Sequence, residues 1–329
     1  MNILITGASG FLGFNLAKAL LNQGHKITNL SRNECQKLND IGIQTIKCNL
    51  NNLEEVTSAL KKIEVVFHVA SLVGMHGDYN QYFQTNVIGT ENIVKACIKN
   101  GVSKLIYTSS PSVVFGKDDL CNVDETQNYP KKFLTHYAKT KSLAEQIIKK
   151  ANSKKLLTVS LRPHLIFGPD DPHLIPRLIQ SANSGKLRQI GDGQNLVDII
   201  YIDNAVDAHI QALENLSKNS KLAGNVYFIG QERPVNLWNF INKILENNGI
   251  SKIENKISCK EAYFIGFILE KVFSILKKEP PMTRFIALQF SKSHYFSHKN
   301  ARDDFGYIPK INIEDAIKRT SNSFKEKQC

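Results

Sequence analysis

The chain opens on a strand that runs straight into glycines. Asn2-Ile3-Leu4-Ile5-Thr6 is short and apolar, Gly7-Ala8-Ser9-Gly10-Phe11-Leu12-Gly13 follows at once, and Phe11 to Asn22 has the spacing of an amphipathic helix. A strand, a tight glycine turn and a helix in that order begin a parallel α/β sheet able to hold a dinucleotide at its carboxyl edge. Gly7 permits the turn, Gly10 lets the backbone approach a pyrophosphate, and Gly13 lets helix and strand pack closely. The helix start then turns unpaired N–H groups and the positive end of its dipole towards the phosphates. Ser9, Phe11 and Leu12 complete the expected cofactor loop.

The next strands refine the ligand. Lys26 to Arg32 reads as the second strand, and no acid stands at its end until Glu34. Dinucleotide sites that hold a free ribose usually place an acid there. Ser31 and Arg32 instead suit a 2'-phosphate, which a guanidinium pairs in two-pronged fashion. NADP(H) is therefore expected in preference to NAD(H), with Asn49 and Leu50 after the third strand beside the adenine. Val65 to Ala70 forms a fourth strand whose small final residue, Ala70, lets the cofactor cross. Lys104 to Thr108 is a fifth, and it runs into Ser109-Ser110-Pro111-Ser112; Asn86 to Lys99 is the amphipathic helix between them.

Downstream stands Tyr137-Ala138-Lys139-Thr140-Lys141. The i,i+4 spacing puts phenol and ammonium on one helix face. A ketone that accepts hydride develops charge on oxygen and needs a proton, which Tyr137 can deliver while a strand-end hydroxyl holds the oxygen. A phenol with a reference pKa of about 10 is poorly matched to neutral pH; Lys141 is expected to lower it while also reaching the nicotinamide ribose, so that Tyr137 and Lys141 both stand at the cofactor. The catalytic expectation is Ser110, Tyr137 and Lys141, with Ser109 and Ser112 as alternatives to Ser110.

Together these features predict an α/β fold: a Rossmann-type doubly wound parallel sheet with a smaller, interleaved C-terminal substrate domain. Residues 1–165 with about 194–230 form the cofactor domain, about 166–193 and 231–320 the substrate lobe, and 321–329 a polar tail. Leu156 to Leu161 is the sixth strand, delivering Pro163 and His164 to the cofactor end, and Asn195 to Tyr201 is expected to return to the main sheet region. The net charge of +12 is spread, with 15 Lys/Arg against 9 Asp/Glu in 251–329. No zinc-finger spacing or arginine-rich arm accompanies it, so nucleic acid is not an expected partner. Six cysteines without a close pair suggest thiols in a reducing compartment and no metal site. A strand beginning at residue 2 leaves no room for a leader, which points to the cytoplasm.

The motifs resemble the extended short-chain dehydrogenases/reductases, and within them the 3β-hydroxysteroid and sterol-4-carboxylate dehydrogenase group. The resemblance rests on Thr6 to Gly13, Tyr107 to Phe115, His136 to Lys141, Leu161 to Pro169, Asp171 to Arg177, Gly191 to Asp198 and Tyr201 to Asn204. Late in the chain, Glu279-Pro280-Pro281-Met282-Thr283-Arg284 and His294-Tyr295-Phe296 look more like the bacterial reductases of 2-alkyl-3-oxoalkanoates in long-chain olefin biosynthesis. The resemblance implies catalysis by Ser110, Tyr137 and Lys141, with Pro163 beside the nicotinamide. It also implies NADPH-dependent reduction of a long-chain β-keto acid and companion olefin-biosynthesis enzymes; a homodimer is the usual expectation for a soluble oligomer. Phe115 departs from the pattern by running directly into Gly116, where many relatives carry an acid before the glycine.

Ser71, His76, Ser112 and His164 are the substrate-binding candidates. Ala262 to Leu276 is mostly apolar but has only eight uninterrupted residues, Ala262 to Leu269, before Glu270-Lys271. A bilayer crossing needs roughly 20 residues. Burial against the second domain is the first expectation for it; cover for a hydrophobic substrate, a subunit contact and peripheral membrane contact are the others. Competing functions are steroid or sterol-carboxylate oxidation, nucleotide-sugar epimerisation or dehydration, and a non-catalytic NADP(H)-binding assembly role.

Overall fold

The computed structural model describes residues 1–74, 77–276, 278 and 280–326. His76 lies outside the described residues. Seven strands form one parallel sheet: β1 (Asn2–Thr6), β2 (Lys26–Ser31), β3 (Gln44–Lys47), β4 (Val65–His68), β5 (Lys104–Thr108), β6 (Leu157–Pro163) and β7 (Val226–Ile229). Their order is β3-β2-β1-β4-β5-β6-β7. The order reverses between β1 and β4, where the register sets Thr6 against His68 and so aligns the strand ends. Open sheets of this kind bind ligands at that switch point.

Alternate residues feed opposite layers, as a sheet covered on both faces requires. Ile3, Ile5, Phe67, Ile106 and Val159 face one core, with Leu12, Leu16 and Leu20 of α1 (Phe11–Asn22). Leu4, Val66, Leu105 and Tyr107 face the other, against α2 (Gly89–Asn100) and α3 (His136–Ala151). The helix expected from Asn86 begins instead as a π-helical stretch, Phe83–Ile88, which leads without a break into α2.

The expected return of Asn195 to Tyr201 to the main sheet is corrected. Leu196–Val197 pairs with Val235–Asn236 and His294 in a separate four-stranded sheet, and Ile200–Tyr201 pairs with Ile166–Phe167. The reason is steric: the outer edge of β6 is already occupied by β7, with Leu161 opposite Tyr227. The helix α4 (Ile202–Asn215) that follows packs beside α1. Towards the end of the chain, α7 (Ile313–Glu326) takes in residues 321–326 of the stretch expected to be a polar tail and buries Ser321.

The apolar segment forms α5 (Cys259–Ile275), and the expectation that it is buried is also corrected. Only Ala262 and Gly266 are buried. A Cβ on Gly266 would come within 2.6 Å of the Thr283 backbone, so a stripe of small residues seats α5 against α6 (Arg284–Ser291) and leaves Phe264, Ile265, Phe267, Ile268, Val272 and Ile275 exposed while Tyr263 packs on the core. Among the described residues no helix is long and apolar enough to cross a membrane.

Candidate active site

The glycine turn is filled to contact. Gly7 has φ +75°, and a Cβ there would lie 2.9 Å from the Ala70 backbone; one on Gly13 would lie 2.2 Å from the Gly7 carbonyl oxygen. Gly10 N–H donates to that oxygen at 3.0 Å, and Asn29 Oδ1 accepts from Ala8 N–H at 3.2 Å. The N-cap of α1 is Gly10, with no capping side chain and no acid in the first turn. Bare backbone and an uncompensated helix start fit a pyrophosphate. At the second strand, Glu34 pairs with Lys47 at 3.5 Å, while Arg32 is exposed and forms no ion pair among the described residues. Asn49 is exposed, its Oδ1 accepting from Asn51 N–H, and Leu50 lies against Gly89.

A buried relay fixes the tip of β4 beside this turn. Thr90 Oγ1 donates to the Asn86 carbonyl at 2.6 Å and is 2.9 Å from His68 Nε2, while His68 Nδ1 is 2.8 Å from Thr6 Oγ1. Because Thr90 spends its proton on a carbonyl, His68 carries its proton on Nε2 and accepts from Thr6. Thr6 Oγ1 in turn accepts from Ala70 N–H at 3.1 Å. Burial, with the Lys141 charge adding to it, drives the His68 pKa down to about 3, so the ring is neutral.

Asn86 extends the clamp. It exchanges both hydrogen bonds with the Leu72 backbone and donates to Thr140 Oγ1 at 3.0 Å, tying the loop after β4 to the catalytic helix. Its sequence signal was an asparagine on the buried side of an amphipathic helix, at a π turn of the sort that recurs at functional sites.

Helix α3 starts at Thr135, whose Oγ1 caps Ala138 N–H. The geometry separates the three candidate serines. The Ser110 and Ser71 hydroxyls are the ones that act on the Tyr137 phenol, each opposing the rise of its pKa. Ser109, on the Glu145 side, and Ser112 are both buried, and neither Oγ has a hydrogen-bond partner. Ser109 and Ser110 diverge because the backbone at Ser110 is extended, with φ −157° and ψ 144°, so successive side chains face opposite ways.

Lys141 Nζ donates to the Thr108 carbonyl at 2.5 Å and lies 4.2 Å from the centre of the Tyr107 ring. The expected lowering of the Tyr137 pKa by Lys141 is corrected for the protein alone. Burial pushes the phenol up to about 12, against the Ser110 hydroxyl, with Tyr82 adding to the rise and Ser71 opposing it. Burial lowers the Lys141 ammonium to about 7, with Glu145 pulling the other way. A lysine this dehydrated carries little charge to spend on a neighbour above neutrality.

Glu145, one further turn along α3, was not singled out in the sequence. Its carboxylate takes Arg162 Nε at 2.9 Å and Nη2 at 2.5 Å, and the Tyr129 hydroxyl at 2.6 Å. Burial alone would raise its pKa, but the Arg162 guanidinium holds the carboxyl below its usual range. The signal available was rhythm, since Tyr137, Lys141 and Glu145 repeat every four residues on the face that carries Ala144 and Ile148.

Pro163 ends β6 beside Ile229 of β7. His164 follows, buried, with Nε2 2.8 Å from His294 Nδ1; His294 Nε2 is 2.9 Å from the Gln289 carbonyl. Since a carbonyl only accepts, His294 donates from Nε2, and His164 donates from its own Nε2 to His294. Burial holds both rings below the ordinary histidine range. The His164 nitrogen nearest the second lobe is thereby engaged within the protein.

A parallel sheet with a glycine cradle at its switch point, and a phenol, a hydroxyl and a lysine gathered beside it, defines an NAD(P)-dependent oxidoreductase acting on a hydroxyl or keto group. Residues 4–259 match the 3-beta hydroxysteroid dehydrogenase/isomerase family, and the chain belongs to that family. It is 40% identical over 328 residues to a 2-alkyl-3-oxoalkanoate reductase of Stenotrophomonas maltophilia, covering 98% of this chain and 99% of the relative. A second 2-alkyl-3-oxoalkanoate reductase, from Shewanella oneidensis, is 40% identical over 97% of this chain and 85% of its own. A decarboxylating sterol-4-alpha-carboxylate 3-dehydrogenase of Mus musculus is 35% identical over 97% and 90%. Among solved structures, a Bacillus cereus UDP-glucuronic acid 4-epimerase in complex with NAD superposes with TM-score 0.77 at 23% identity over the full length of both chains, a likeness of fold.

Proposed function

We propose that the protein reduces a long-chain 2-alkyl-3-oxoalkanoate to its 3-hydroxy acid with NADPH. The observation that carries this reading is the near full-length 40% identity to two reductases of that name. It is supported by an exposed Arg32 beside Ser31 with no acid at the second strand end until Glu34. In this reading the Gly7 to Gly13 turn holds the pyrophosphate, Ser31 and Arg32 the 2'-phosphate, Asn49, Leu50 and Ala70 the adenosine side, and Pro163 the nicotinamide end. NADPH, when bound, supplies the hydride.

The chain supplies the rest. Tyr137 donates its hydroxyl proton to the ketone oxygen as that oxygen gains charge, and Ser110 steadies the same oxygen with a hydrogen bond. The Ser71 hydroxyl steadies the phenolate left behind, and the proton that restores Tyr137 comes from solvent. Lys141 stands ready as the cation that a phenolate draws, its pKa rising again once a negative charge forms nearby. His164 is held on His294 and Ser112 is buried in the turn after Ser110, so neither is given a substrate contact in this reading. In this reading the enzyme works in the cytoplasm.

The relative from Mus musculus favours a second reading, oxidation of a sterol carboxylate by the same groups. Turnover is measured with 2-alkyl-3-oxo acids and 3β-hydroxysterol acids, each with both cofactors. Reduction of the oxo acid with NADPH is expected, falling about 100-fold or more in Tyr137→Phe while NADPH affinity is kept. Preference for NAD+ and a sterol alcohol would overturn the proposal.

A further inference from the structure

We infer that His209 is a positioning residue for the reaction, acting through Thr108 to seat the Lys141 ammonium. The inference rests on the role given to Lys141 above. Thr108 ends β5 and is tied in two directions. Its carbonyl accepts from Lys141 Nζ at 2.5 Å, on the side that holds α3. Alternation along the strand sets its side chain with Ile106, on the layer of α1 and α4, and there Thr108 Oγ1 lies 2.9 Å from His209 Nε2. One residue at the strand tip thus joins the two layers of the sheet.

The direction of each bond follows from the next partner. His209 Nδ1 is 2.7 Å from the Ala205 carbonyl, one turn back on α4, and a carbonyl only accepts, so Nδ1 carries the proton. Burial lowers the His209 pKa to about 4, which leaves the ring neutral and gives Nε2 a lone pair for the Thr108 hydroxyl. Both residues are buried, so water does not compete for these bonds. A β-branched side chain has few rotamers, and a hydroxyl fixed on His209 fixes the strand end that carries it. Lys104 Nζ donates to the Leu213 carbonyl at 2.9 Å, so β5 is fastened to α4 at its first residue as well as its last. Lys141 needs such a seat. Its side chain is long and flexible, its ammonium lies 4.2 Å from the centre of the Tyr107 ring, and Glu145, the next acid along α3, is paired with Arg162. The Thr108 carbonyl sets where the ammonium rests, and a shift of about 1 Å at a catalytic group can cost on the order of 100-fold in rate.

Thr108→Val keeps the shape and loses the hydroxyl, Thr108→Ser keeps the hydroxyl, and His209→Leu removes the acceptor. Turnover, NADPH titration and melting temperature are measured for each. Thr108→Val and His209→Leu should each lower kcat about tenfold with KM within about twofold of the wild type, and Thr108→Ser should stay within about threefold of it. Thr108→Val combined with His209→Leu leaves no buried group unsatisfied, so it should regain melting temperature over either alone and regain no turnover. If a single variant unfolds, the combined one carries the test. NADPH affinity needs no substrate: because Lys141 is expected at the nicotinamide ribose, Thr108→Val should weaken it about threefold, and should leave it unchanged when Lys141→Met is already present. Full turnover in Thr108→Val and His209→Leu, beside a Lys141→Met protein that has lost it, would overturn the inference and leave Lys141 in its role. Turnover that returns with melting temperature in the combined variant would do the same. An unaffected Lys141→Met protein would remove that role, and the inference with it.

Discussion

Gly10 and Gly13 share one turn, yet a methyl group means different things at the two positions. On Gly13 it would stand 2.2 Å from the Gly7 carbonyl oxygen and 2.8 Å from its carbon, both fixed by the backbone. On Gly10 it meets the same oxygen at 3.4 Å, a contact the protein tolerates. Overpacking costs about 1–3 kcal/mol, and a collision with main chain belongs near the top of that range, about 2–3 kcal/mol for Gly13→Ala. Unfolding entropy of roughly 2.1 cal/mol/K per residue makes about 0.7 kcal/mol/K for this chain, so the melting temperature should fall by about 3–4 °C. Gly10→Ala should melt within about 1 °C of the wild type. Its cost should appear only with ligand, because its methyl stands where the pyrophosphate must approach: the NADPH dissociation constant should rise at least tenfold, about 1.4 kcal/mol. Calorimetry of the bare proteins, followed by titration with NADPH, reads both effects. A Gly13→Ala protein that melts like the wild type, or a Gly10→Ala protein that binds NADPH undiminished, would refute the account of the cradle.

Other expectations follow from the same geometry. Arg32→Glu should weaken NADPH by about 10- to 100-fold, the worth of a charged hydrogen bond to phosphate, and narrow the gap to NADH; fluorescence titration with both cofactors checks it, and an unchanged ratio removes Arg32 from the phosphate site. Glu145→Gln leaves the Arg162 guanidinium buried without its charge partner and should lose about 3–5 kcal/mol in urea unfolding. Replacing both members with Gln and Met should recover much of the loss; no recovery would show that the pair does more than neutralise itself. Lys141 has a folded pKa of about 7, below its ordinary 10.5. The unfolded chain therefore binds the extra proton between these values, and the native state gains stability as pH rises through that window, by up to about 1.4 kcal/mol per unit. Wild type compared with Lys141→Met at pH 7 and pH 9 tests the sign, and a wild type that weakens relative to the variant would contradict the burial of the amine.

The glycine turn, α1 and the Tyr137–Lys141 pair were legible because each is written in local spacing. Ser110 could not be told from its neighbours in the sequence, since the choice depends on an extended residue just before a turn begun by Pro111. Asn86 was hidden because a π turn falls outside the 3.6-residue period that reveals helices. Glu145 and Arg162 meet between a helix and a strand, a relation no single-element pattern contains. Leu196–Val197 was assigned to the wrong sheet because strand pattern says nothing about which edge is already taken. The exposure of α5 was equally invisible: apolar composition records a preference for cover, and the neighbouring chain decides whether cover is provided.

The imidazole of His68 is buried within electrostatic reach of Lys141, and burial keeps the ring neutral. Its lone pair and its proton are both already spent on threonines, so it works as a rivet between β1, β4 and the helix beyond, transmitting position and no protons. Protons entering this interior are left to the phenol and the amine, and a histidine in the middle of an acid–base site is kept out of its chemistry by the two hydroxyls that hold it.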